Sequence, residues 1–173
     1  MDRRLAIKNL AIASGSLITL PFWMQACGVS DTDTHDSSFS KSEQELFASL
    51  TDTIIPAGNS IGALSVGVDK YLQKLFDDCY GKQDLDSIRN RLTAMNASAK
   101  KTYGKSFTQC TPAQREELLI KWSASDVKEE REFFDLVKKE TISGFNTSQK
   151  VMEEYLDYQI APGHYYGSVN VKA

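Results

Sequence analysis

Two helix-start signatures limit what this chain can fold into. Ser40-Lys41-Ser42-Glu43 and Thr111-Pro112-Ala113-Gln114 each set a hydroxyl ahead of a Glu or Gln three positions on. At that spacing the hydroxyl accepts from the third helical amide, and the longer side chain accepts from the cap amide. Two orphaned N–H groups are thereby satisfied at once. Pro112 strengthens the second signature, because the first helical position needs no donor. Apolar residues then recur at helical intervals: Leu46, Leu50 and Ile54 with Phe47 beside them, and Leu118, Leu119 and Trp122. Nowhere does a two-residue alternation persist, so the expected class is all-α.

The rest of the chain supports six helices in a single domain over residues 41–173. Pro56 ends the first, and residues 57–67, with three glycines, read as a loop. A second helix is expected over about 66–79, with Val68, Tyr71, Leu72, Leu75, Phe76 and Cys79 as its buried stripe. Tyr80-Gly81 closes it. A third spans roughly 85–103, with Ile88, Leu92, Met95 and Ala99 on one face and Gly104 as the stop. Asp126 is the expected cap of a long fifth helix through about Ser143, carrying Val127, Phe133, Phe134, Val137 and Ile142, with Gly144 at its end. Ser148 begins a sixth, toward Leu156. The tail Ala161-Pro162-Gly163-His164-Tyr165-Tyr166-Gly167 is turn-forming and aromatic.

The N-terminus has a different composition. Arg3-Arg4 stands in the run Asp2-Arg3-Arg4-Leu5-Ala6-Ile7-Lys8, ahead of a moderately apolar stretch from Leu10 to Met24 that contains Ser14, Gly15, Ser16 and Thr19 and is broken by Pro21. It falls short of the ~20 apolar residues of a spanning helix. Arg3, Arg4 and Lys8 fit a twin-arginine export address, which serves proteins exported already folded; an ordinary secretory signal with a basic start is the alternative. Ala26-Cys27 fits a lipoprotein cleavage box that would leave Cys27 lipidated, although Gln25 is bulky for one. Plain cleavage after Ala26 would instead leave a free thiol. Residues 27–40 are rich in Gly, Ser, Thr and Asp and read as a flexible polar tether.

Removing residues 1–26 leaves 147 residues with formal charge −5, because that segment holds Arg3, Arg4 and Lys8 against Asp2. A mildly acidic domain is poorly suited to nucleic acid. In an oxidising compartment Cys79 and Cys110 could pair, adding about 3–4 kcal/mol in the chain-entropy picture, or could remain buried thiols. The two histidines, His35 and His164, cannot build a metal site with their neighbours. No Gly-x-Gly-x-x-Gly run marks a flavin or nicotinamide fold. The acidic pairs Asp77-Asp78, Glu116-Glu117, Glu129-Glu130 and Glu153-Glu154 sit on helices beside basic residues, as solvated faces do. No catalytic, cofactor-binding or metal-binding residue is therefore expected. Tyr165 and Tyr166, with Tyr155 and Tyr158 near them, can either fold back on the domain or dock a partner.

Three stretches carry a family resemblance. The first is Leu50-Thr51-Asp52-Thr53-Ile54-Ile55-Pro56, followed by Ile61-Gly62-Ala63 and Gly67-Val68-Asp69-Lys70-Tyr71-Leu72. The second is Glu140-Thr141-Ile142-Ser143-Gly144-Phe145-Asn146-Thr147-Ser148, and the third is Ala161 to Gly167. In order and spacing they resemble gluconate 2-dehydrogenase subunit 3, the small subunit of membrane-bound flavin-dependent sugar and alcohol dehydrogenases. Ser60-Ile61 stands where that family tends to show a second proline. The resemblance implies an accessory subunit that carries the twin-arginine signal and escorts a large flavoprotein similar to glucose–methanol–choline oxidoreductases. FAD and catalysis are then expected in that partner, and this chain is expected in the periplasm, held at a membrane if Cys27 is lipidated. A free-standing lipid-anchored helical envelope protein is the alternative. Changing Arg3-Arg4 to Lys-Lys is expected to leave both the chain and its flavoprotein partner in the cytoplasm on fractionation. Normal export of that variant would point to the general secretory route.

Overall fold

Both helix-start signatures close as their spacing requires. Ser40 Oγ accepts from the Glu43 amide at 3.4 Å, and Glu43 Oε2 accepts from the Ser40 amide at 2.7 Å. Thr111 Oγ1 accepts from the Gln114 amide at 3.3 Å, and Gln114 Oε1 accepts from the Thr111 amide at 3.0 Å. The structure, a computed structural model, describes residues 37–159 together with Gly163, Gly167 and Ser168. Among them are six helices and no strand: α1 Lys41–Ile54, α2 Val68–Cys79, α3 Lys82–Tyr103, α4 Pro112–Ser123, α5 Lys128–Asn146 and α6 Gln149–Glu154. Two 3₁₀ turns, Ala63–Val66 and Phe107–Gln109, link α1 to α2 and α3 to α4. None of the described helices is long and apolar enough to cross a membrane.

The core forms around α1, which touches every other long helix. Phe47, Leu50 and Thr51 are buried on its inner side, facing a core to which α2 gives Leu72 and Phe76, α3 gives Leu92 and Met95, α4 gives Leu118 and Trp122, and α5 gives Phe133 and Val137. The buried Thr51 hydroxyl donates to its own helix, to Phe47 O and Ala48 O at 3.0 Å, so no polar group is stranded there. Rings run in series: Phe39 on Phe47 at 5.0 Å, Phe47 on Phe76 at 5.6 Å and Phe76 on Tyr80 at 5.1 Å, the outer two edge-on. That geometry sets positive ring edges on negative faces.

Four expectations are corrected. Cys79 ends α2 in solvent rather than in the buried stripe, and Tyr80 supplies the ring against Phe76. α3 starts at Lys82, because Gly81 O already accepts the Leu85 amide at 3.0 Å. Asp126 does not cap α5. The N-cap is Val127, which stays exposed, and no side chain caps the helix; Ser125 Oγ, two residues earlier, accepts from the Val127 amide at 3.1 Å and donates to Glu130 Oε2 at 2.5 Å. Gly144 lies inside α5, which continues to Asn146.

Gly144 is in the helix because of its neighbour. A Cβ there would stand 2.4 Å from Cδ1 of the Tyr71 ring on α2. Glycine in a helix interior costs about 1 kcal/mol relative to alanine, and here close packing outweighs that cost. Gly144→Ala should therefore destabilise the domain by about 1–3 kcal/mol in thermal or denaturant unfolding, the range for overpacking. Tyr71→Leu should make the same alanine neutral or stabilising. A Gly144→Ala protein that melts higher in the wild-type background would overturn this account.

Candidate docking face

Among the described residues the short helix α6 is fixed by little. It buries Val151 and leaves Tyr155, Leu156 and Tyr158 standing out just beyond its last turn. Asp157 makes that exit, in the left-handed region at φ 50°, which an aspartate tolerates better than most residues. The Tyr158 amide donates to Met152 O at 2.9 Å and so holds the turned chain against the helix. A cavity of about 700 Å³ beside it is lined among the described residues by Thr147, Gln149, Met152, Glu153, Asp157 and Tyr158, among others. A second, of about 520 Å³, shares Gln149 and Glu153 and reaches Ser65 and Val66 of the first 3₁₀ turn.

The neighbouring elements add apolar side chains. The first 3₁₀ turn contributes Leu64, and the C-terminal half of α5, which touches both that turn and α6, contributes Ile142. Leu64, Ile142, Tyr155, Leu156 and Tyr158 are 40–58 % exposed. Single exposed hydrophobics are ordinary; these five lie on segments that touch or follow one another, which makes this region a candidate interaction surface. The turn that carries Leu64 is held rigidly at its base. The Ala63 amide donates to Ile55 O at 2.9 Å, and a Cβ on Gly62 would lie 2.5 Å from Ala57 N, so the loop can close this tightly only on glycine.

The first two resemblance stretches meet here. Tyr71 of the first packs on Gly144 of the second. Asp52 of the first receives Arg115 Nη1 at 3.3 Å, and Ser49 O receives the same nitrogen at 3.2 Å, tying α4 to α1. Ile142 follows the apolar pattern of the fifth helix in the sequence, whereas the exposure of Leu64 has no sequence signal apart from its place in an irregular turn. Tyr165 and Tyr166, His35 and His164, the export residues Arg3, Arg4 and Lys8, the lipidation candidate Cys27 and the tether up to Asp36 lie outside the described residues. Cys79 and Cys110 are free thiols, the first exposed and the second buried. No group of three or more His, Cys, Asp or Glu that could hold a metal occurs among the described residues.

One polar cluster lies on α3 and α4. Tyr103 Oη donates to Glu117 Oε2 at 2.6 Å, and Lys121 Nζ donates to Glu117 Oε1 at 2.7 Å. The Glu117 bond, with lesser contributions from burial and charge repulsion, pushes the phenol up to about 12. Lys121 first, then Tyr103, hold the Glu117 carboxyl below its usual range. A phenol held so firmly protonated makes a poor base near neutral pH; the cluster is a strap between helices.

The described residues define an all-α domain. The chain belongs to the gluconate 2-dehydrogenase subunit 3 family, whose model matches residues 41–163. No curated protein and no solved structure matches the chain. The matched span takes in the first two stretches completely and the third as far as Gly163. The family's name implies association with other dehydrogenase subunits.

The strap has a pH dependence that can be measured. The raised Tyr103 pKa contributes stability that is present below pH 10 and lost as pH rises through about 12. The lowered Glu117 pKa contributes stability that is present above 4.5 and lost as pH falls through the folded value. Tyr103→Phe is expected to raise the Glu117 pKa toward the ordinary carboxylate value, read by NMR titration. An unchanged Glu117 titration would mean that the hydrogen bond does not form in solution.

Proposed function

We propose that this chain is a non-catalytic accessory subunit of a flavin-dependent sugar or alcohol dehydrogenase. The family match over residues 41–163 is the observation that carries the reading. The apolar end built from the first 3₁₀ turn, α5 and α6 supports it, because a free-standing protein gains nothing from leaving such side chains in water. The partner is a large flavoprotein of the glucose–methanol–choline type. It holds the FAD and the groups that abstract the substrate's proton. An obligate interface of this kind is expected to bury more than ~2,000 Å². Tyr165 and Tyr166 also dock the partner in this reading, since tyrosine brings large contact area with few rotatable bonds.

Export follows from the same assignment. The catalytic subunit folds around its flavin in the cytoplasm, and the twin-arginine signal on this chain, read through Arg3, Arg4 and Lys8, carries the complex across the membrane. Cys27, lipidated after cleavage, then retains it at the periplasmic side. Residues 1–26 are the signal and 27–40 the tether, the last four of which, from Ser37, belong to the folded unit.

Two measurements test the assignment. The purified chain alone is expected to show neither flavin absorbance nor dehydrogenase activity, and turnover without a partner would overturn the reading. Leu156→Asp with Tyr158→Asp is expected to leave the melting of the free chain near wild type and to weaken capture of the co-expressed flavoprotein by ~30-fold or more, the scale of losing an interface anchor worth ~2 kcal/mol. Ile120→Asp, an equally exposed position on α4, serves as the control that should bind normally. Undiminished capture by the double variant would remove α6 from the interface.

A further inference from the structure

The three residues ahead of the first helix cap are bound into the domain. Asp77, near the end of α2, accepts from Ser37 Oγ at 3.0 Å, from the Ser38 amide at 3.0 Å and from Ser38 Oγ in a short bond. Arg89 on α3 donates through Nη2 to Ser38 Oγ at 2.8 Å and to Ser38 O at 3.2 Å. Its guanidinium lies 5.2 Å from the centre of the Phe39 ring, and its Nη1 reaches Asp86 at 3.3 Å. Phe39 is 2 % exposed and edge-on to Phe47, and Gln44 Nε2 donates to Phe39 O at 2.8 Å. This stretch reads in the sequence as the end of a polar tether, and it precedes the span matched by the family model, which begins at Lys41. The folded unit begins at Ser37 instead.

We propose that Ser37–Phe39 is a clasp that separates the folded domain from its leader, with Asp77 and Arg89 as the two residues that hold it. The grip is made by side chains of two helices on the segment that leads into the Ser40 cap. A pull or a protease acting on the leader is therefore stopped before it reaches the Ser40 cap and the first turn of α1. Phe39 is the plug of the device. Withdrawing it would expose the Phe47 end of the ring series to water, so the clasp opens only at the cost of the core. The arrangement is indifferent to how the leader is processed upstream of Asp36, and it holds whether or not the chain has a flavoprotein partner.

The test is limited digestion of the full chain with a protease of low sequence specificity, with the new N-terminus read by intact mass. In the wild type, trimming is expected to halt within a residue of Ser37. In the Asp77→Asn, Arg89→Gln double variant, whose changes lie outside the apolar core, trimming past Phe39 should proceed at least tenfold faster. Arg89→Lys, which keeps the charge and loses the forked contact with Ser38, should fall between the two. Amide exchange gives a second readout: the Ser38 amide should exchange slowly in the wild type and at least tenfold faster in Asp77→Asn. Wild-type trimming that runs through Phe39 and leaves a folded domain would overturn the proposal. So would a double variant, folded by circular dichroism, that stops at the same residue as the wild type.

Discussion

Phe47 is the side chain around which this domain closes. It is completely buried in the middle of the helix that touches all the other long ones, with Phe39 on one side and Phe76 on the other. The ring series that it centres joins the chain entry, α1, α2 and the α2–α3 junction into one packed unit. Truncating a buried phenylalanine costs about 3–5 kcal/mol, a large part of what a single domain has in hand. The exposed end of the molecule can therefore be loosely built, because the stability resides elsewhere.

Much of this was legible beforehand, for identifiable physical reasons. Capping boxes are local, so Ser40 and Thr111 announced their helices without help from tertiary structure. The period of Ile88, Leu92, Met95 and Ala99 likewise marked the buried face of α3 correctly, as all four are buried. What failed to show was decided by contacts between distant residues. Gly144 looks like a helix stop in sequence, and only the Tyr71 ring, brought there by the packing of α2 on α5, makes it an interior residue. Phe39 sits in a run of polar residues and gives no periodic signal; it is buried against Phe47 and under Arg89, farther along the chain.

The candidate face was legible only in fragments. Tyr155 and Tyr158 stood out as aromatics near a turn-forming tail, and Ile142 as one more apolar residue of a long helix. The surface is formed by tertiary convergence, since the loop fixed at Gly62 brings the Leu64 turn beside α6, where the two share a groove. Pattern reading finds faces that point inward, because burial imposes a period. An outward apolar side chain on an irregular segment imposes none.

The construction of α6 bears on how association and stability are linked. Six residues make a helix far shorter than the ~12–15 at which isolated helices become marginal in water, so α6 depends on tertiary contact. Among the described residues Val151 is the side chain that α6 buries, while Tyr155, Leu156 and Tyr158 are exposed. An element held this lightly opens at a lower free energy than the core around Phe47. A partner that covers it binds the closed form, and that alone shifts the local equilibrium toward order by mass action. The proposed docking and the ordering of this end of the domain are then a single equilibrium.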